Sequence, residues 1–105
     1  MRPYNAEHVV GTILGYKQQL PLTTLFALEG KVRAKLPDVV FFDITEKGVQ
    51  ENVIDFYPNI FELKDGVIKV LPGKQPLAQL FFKYSMDQSV VDVILDCLSD
   101  PNAEE

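Results

Sequence analysis

The dipeptide Asp65-Gly66, set inside the stretch "NIFELKDGVIKVLPG", constrains the fold more than any other feature of this chain. A two-residue connection of this kind suits the positive φ angles of a tight hairpin turn. Residues 60–64 and 67–71 are therefore predicted to be adjacent antiparallel strands. Alternation puts Ile60, Glu62 and Lys64 on one side of the first strand and Phe61 with Leu63 on the other. Glu62 and Lys64, continued by Lys69, then read as the wet side of a hairpin. A further strand is expected at "DVVFFDIT", residues 38–45, which is rich in β-branched and aromatic residues and has little polar alternation. That is the pattern of a strand buried on both faces, central in a sheet.

The other apolar residues recur at helical spacing. Asn5 is a plausible N-cap, with Glu7 in the first turn. Val9, Val10, Ile13 and Leu14 then form a stripe that Leu20-Pro21 ends. Gly11 and Gly15, four apart, point to close packing on that helix. The stretch "LPLTTLFALEGKVRAKLP" reads both ways. Leu22, Leu25, Phe26 and Val32 fit a helix, whereas Val32, Ala34 and Leu36 alternate with Lys31, Arg33 and Lys35 as in a strand. A hairpin turning at Gly30-Lys31 would set Leu28 against Arg33 and Phe26 against Lys35, so a helix from about Thr23 to Leu28, loosening at Gly30, is preferred.

Val49, Val53, Phe56 and Tyr57 lie at i, i+4, i+7 and i+8, one helical face that Pro58 terminates, with a strand over 46–57 as the other reading. Pro76 opens a helix carrying Leu77, Leu80, Phe81 and Tyr84. Ser85 and Gln88 have the spacing of a capping box before the apolar arc of Val90, Val91, Ile94, Cys97 and Leu98. Asp100-Pro101 breaks that helix. The result is an α+β chain: one domain over residues 1–98, with about five helices around a small, partly antiparallel sheet, and an acidic, disordered tail at 99–105.

Charge and composition narrow the function classes. Residues 1–37 hold Arg2, Lys17, Lys31, Arg33 and Lys35 against Glu7 and Glu29, a net +3, so the overall −5 leaves −8 on the remainder. Acids concentrated in the last 19 residues are of no use to a nucleic-acid-binding chain, and they favour a protein partner. No apolar run approaches the roughly 18 residues that cross a bilayer, and the N-terminus lacks the basic-then-apolar order of a signal peptide. A soluble, cytoplasmic protein is expected. Cys97 has no second cysteine to pair with and reads as a buried small hydrophobe. With a single His, a Cys/His zinc cluster is excluded.

Specific catalytic patterns are few. No glycine-rich phosphate loop is present. His8 would have to serve Ser85, Ser89 or Ser99, none of which stands in a nucleophile elbow. A helix-turn-helix at "LFALEGKVRAKL" fails on spacing, because Ala27 and Gly30 are three apart rather than four. Pro37-Asp38, followed 24 residues later by Glu62-Leu63-Lys64, resembles the Pro-Asp…(Asp/Glu)-x-Lys metal-dependent nucleases. In that resemblance Asp38 and Glu62 would hold Mg²⁺ and Lys64 would orient the attacking water. Gln79-Leu80…Tyr84 is one residue too long to match the helical Gln/Tyr element of some of those enzymes, and Glu29-Gly30-Lys31 supplies a second Glu-x-Lys in the same chain.

The expected function is a small acidic protein-interaction module, of inhibitor, immunity-type, accessory or regulatory kind, that binds a protein partner or associates with itself. No cofactor, metal or membrane is called for. Phe82, which lies off the Leu77/Leu80/Phe81/Tyr84 stripe, is the expected exposed aromatic, and Lys31, Arg33 and Lys35 are expected to complement an acidic partner. The alternatives are the metal site at Asp38, Glu62 and Lys64, and non-catalytic nucleic-acid binding through Lys31, Arg33 and Lys35.

Overall fold

The computed structural model describes residues 2–78 and 86–99. Phe82, the Gln79-Leu80…Tyr84 element, Ser85 of the capping box and residues 100–105 of the expected tail lie outside the described residues. Among those described, five helical segments and two small sheets make an α+β fold. In chain order these are β1 (Arg2–Asn5), α1 (Ala6–Leu14), β2 (Gln19–Pro21), α2 (Leu22–Lys35) and β3 (Val39–Phe42). There follow α3 (Glu46–Val49) with a π turn (Gln50–Ile54), β4 (Phe61–Lys64), β5 (Val67–Val70), the helical residues 75–78 (α4) and α5 (Gln88–Ser99).

The hairpin is where the turn chemistry puts it. Asp65 (φ 55°) and Gly66 (φ 74°) form the turn, and β4 pairs antiparallel with β5 in the register Phe61↔Val70, Glu62↔Lys69, Leu63↔Ile68, Lys64↔Val67. The expected single sheet is in fact two. β5 also pairs with β2, giving the order β2-β5-β4, while β3 pairs in parallel with β1 in a separate two-stranded sheet. β1 and β2 are only four and three residues long, too short for alternation to announce them.

The strand at 38–45 is correspondingly shorter than expected, and it is neither central nor buried on both faces. Val39 and Phe41 are buried, but Phe42 is exposed. The strand ends where Asp43 turns to φ 60°, a left-handed conformation that Asp adopts more readily than most residues.

Three helices also depart from their expected course. α1 stops at Leu14 rather than Leu20. Gly15 closes it with its N–H on the Gly11 carbonyl, and Lys17 N–H bonds back to Ile13. Every residue from Val9 to Gly15 is buried, including both glycines of the four-residue spacing. α2 instead runs on through Gly30 to Lys35. Gly30 is exposed and a Cβ there would touch nothing, so its helix penalty of about 1 kcal/mol is small beside the burial of Leu28 and Val32 on either side.

α3 begins with Thr45 as N-cap, its Oγ1 accepting from Gly48 N–H at 2.9 Å. Gly48 packs against Asp43 so closely that a Cβ would overlap the Asp43 carbonyl group and lie 2.8 Å from the Asp43 Cβ. The helix then widens. Asp55 N–H bonds to the Gln50 carbonyl, five residues back, before Tyr57 N–H returns to the four-back pattern on Val53. Inserting a π turn advances the inward-facing position by one residue. Val49 and Val53 are buried and Tyr57 turns in, while Phe56, predicted on the same face, turns out.

A shared core joins the two sheets. It includes Tyr4, Val9, Ile13 and Leu14 from the first segments, Leu25, Leu28 and Val32 from α2, Phe61 and Ile68 from the hairpin, and Val90, Ile94 and Cys97 from α5. Tyr4 and Phe41 meet edge to face at 6.4 Å, and Tyr57 and Phe61 do the same. Thr12, the buried polar residue of α1, donates to the Met86 sulfur.

The strand edges differ in how they are closed. Phe41 N–H turns away from β1 and is accepted by Glu29 of α2 at 3.0 Å, and the Val39 carbonyl on the same side accepts from Arg33 Nε at 3.5 Å. In a parallel pair only one member of each register pair bonds across. Tyr4, partner of Phe41, therefore faces β3, and Pro3 faces outward, where its missing N–H costs no ladder bond. On β2, Leu20 faces Ile68, which turns Pro21 outward in the same way. Two edges thus carry proline and a third is bonded by α2 side chains, all recognised means of blunting an edge.

Candidate interaction surface

Lys31, Arg33 and Lys35 lie on α2, not on a strand, and Arg33 and Lys35 are turned to this chain's own acids. Lys35 Nζ is 2.8 Å from Asp96 Oδ2 of α5, and Arg33 stands 3.9 Å from Glu29 as well as on the Val39 carbonyl. Lys31 is half-buried. Two of the three expected contact cations therefore tie α2 to β3 and α5, and on the helix Lys31 and Lys35, four apart, share a face from which Arg33 is turned away.

Asp38, Glu62 and Lys64 are all exposed. Asp38 precedes β3 in the two-stranded sheet, and Glu62 and Lys64 lie on β4 in the other. Among the described residues, no three His, Cys, Asp or Glu side chains gather closely enough to hold a metal. Glu62 sits opposite Lys69 and Lys69 opposite Gln19, one exposed polar row across three strands. At the β2/β5 end of that sheet an open groove of 440 Å³ runs between Gln18-Gln19 and the stretch from Lys69 to Gly73, with Lys69 the charged side chain among its described lining residues.

The large apolar side chain most open to solvent, among the described residues, is Phe56, at 71%. Phe42, Leu77, Tyr16 and Phe26 follow at 41–49%. Reading the sequence as an ideal helix misses Phe56, because the spacing argument that turned it inward assumes 3.6 residues per turn throughout. No residue type in "VQENVIDFY" announces the π turn.

The Phe56 ring stands on a well-bonded segment. Gln50 Nε2 donates to Asp55 Oδ1 at 2.8 Å, and Asn52 Nδ2 donates to the Gly48 carbonyl at 2.9 Å. The Tyr57 ring, 6.4 Å from that of Phe56, donates its hydroxyl to Glu7 Oε2 at 3.3 Å. Burial, and then the neighbouring Glu7 carboxylate, hold the Tyr57 hydroxyl above its ordinary value of 10.0, so it keeps its proton. Around Phe56 in sequence stand the exposed acids Asp43, Glu46, Glu51 and Asp55, with Lys47 at 3.9 Å from Glu51 the cation among them. A backbone held in this way loses little conformational freedom when the ring it carries enters a pocket.

No helix among the described residues is long and apolar enough to cross a membrane. Comparison with protein-family models, with curated proteins and with solved structures returned no match.

Proposed function

We propose that this chain is a protein-interaction module that docks Phe56 into an apolar pocket of a protein partner whose rim is basic. The observation that carries this reading is the 71% exposure of Phe56 just after a π turn. Displacing an aromatic from the core face forgoes its burial, and π turns concentrate at functional positions. The exposed acids that precede it in the chain would complement a basic rim, which would speed association and select the partner. Inhibitor, immunity-type, accessory and regulatory proteins can all use a contact of this form, and the lone, buried Cys97 fits a cytosolic setting.

A photo-crosslinking residue at position 56, with another at exposed Thr23 as reference, tests the reading in lysate of the source cells. The expected result is one protein crosslinked from position 56 and not from 23, with the yield falling as salt is raised and unlabelled Phe56→Ala failing to compete where the wild type does. Equal crosslinking from both positions, or equal competition by Phe56→Ala, would overturn it.

A further inference from the structure

Of the strand edges described above, β4's outer edge is the one left without a proline or a side-chain cap. In a hairpin closed by a two-residue turn, the flanking pair Lys64↔Val67 exchanges both ladder bonds. Glu62, two residues back, therefore also faces β5, and Leu63 turns its N–H and C=O away from the sheet. No hydrogen bond from Leu63 to a residue outside the ladder is found among the described residues. Phe61 N–H, next on that edge, is already held by the Tyr57 carbonyl at 3.1 Å. What remains open, among the described residues, is a short segment centred on Leu63.

That segment is complementary to itself. We propose that two copies of this chain associate by antiparallel pairing of their β4 edges, with the two-fold axis at Leu63. Leu63 N–H and C=O then bond to those of Leu63 in the second copy. The same register sets Glu62 of each copy directly opposite Lys64 of the other, on the exposed face. The isologous contact joins β2-β5-β4 of each copy into one six-stranded sheet. Exposed lysine on an edge normally repels another strand. Here Lys64 meets a carboxylate, so the Glu-Leu-Lys order permits one register and disfavours its neighbours. The half-buried Leu63 side chains, on the core side of the sheet, come together at the axis.

With Phe61 N–H already bonded, the ladder is short, and the association is weak and depends on concentration. It shares with the Phe56 reading only the premise that the chain acts by association, and the tests use different variants.

Sedimentation velocity over a range of protein concentrations, on wild type, Glu62→Lys, Lys64→Glu and the double charge swap, decides the matter. The wild type is expected to form dimers. Each single reversal sets like charges opposite each other twice per dimer and should raise the dissociation constant at least about fivefold. The double swap restores both pairs and should return it to near the wild-type value. Amide exchange adds a readout that charge alone does not move, since Leu63 N–H should gain protection as concentration rises. A wild type that stays monomeric up to about 1 mM, dimers indifferent to both single reversals, or a Leu63 amide whose exchange ignores concentration would each overturn the proposal.

Discussion

The two sheets of this protein are of similar size but are held together differently. The hairpin β4-β5 is closed by two residues, Asp65 and Gly66, and its register follows from that turn. The parallel pair β1-β3 joins residues 2–5 to 39–42, with α1, β2 and α2 intervening, and nothing local to either strand sets its register. Loop closure over that distance must be offset by tertiary contacts: the buried side chains of Tyr4, Val39 and Phe41, and the Glu29 carboxylate on Phe41 N–H. Antiparallel order here comes from a turn. Parallel order comes from packing.

Substitutions sharpen the contrast. The largest effect is expected from Glu29→Ala, which strips the acceptor from Phe41 N–H and the counter-ion from Arg33. A loss of about 1–3 kcal/mol is expected in denaturant unfolding. Amide exchange should quicken at Phe41 well before it changes at Ile68. Equal acceleration in both sheets would mean that they open as one unit and that the distinction drawn here is wrong. A smaller effect is expected from Gly66→Ala. A Cβ there meets nothing, so its cost is that of holding an L-residue at φ 74°, about 1–2 kcal/mol, or a drop of several degrees in Tm. Exchange should quicken first in the hairpin and leave Phe41 alone.

The smallest effect belongs to the exposed Lys35–Asp96 pair, with side chains 51% and 70% accessible. Lys35→Met should change stability by no more than about 1 kcal/mol, and by less in high salt. A larger loss would show that the link between α2 and α5, and not the Glu29 cap, is what seats α2 against β3.

The boundary between what could and could not be read in advance follows the same division. Helix periodicity located α1, α5 and the buried faces of both, because i, i+3, i+4 spacing is a property of adjacent residues. It misplaced the ends of α1 and α2. Gly15 and Gly30 are the same residue type, yet the first closes a helix on the Gly11 carbonyl and the second sits unremarked in an exposed turn. It also turned Phe56 inward, since the π turn over Gln50–Ile54, closed by the bond from Asp55 N–H to the Gln50 carbonyl, shifts the phase of everything after it. On the hairpin, the exposure of Glu62 and Lys64 followed from alternation alone. That β4 is, among the described residues, the uncapped edge while β1, β2 and β3 are blunted depends on Pro3, Pro21, Glu29 and Arg33, none of them near it in sequence.

By itself, then, the amino-acid sequence determined the α+β character, the hairpin with its register, and the exposed positions of Glu62 and Lys64. Each rests on turn geometry or on periodicity within a few residues. Only the tertiary structure decided that the strands form two sheets, that Arg33 and Lys35 of α2 face this chain's own acids, that Phe56 points to solvent and that Leu63 lies on an edge left uncapped among the described residues. Those features arise from contacts between residues far apart in the chain, whose energies no local pattern records.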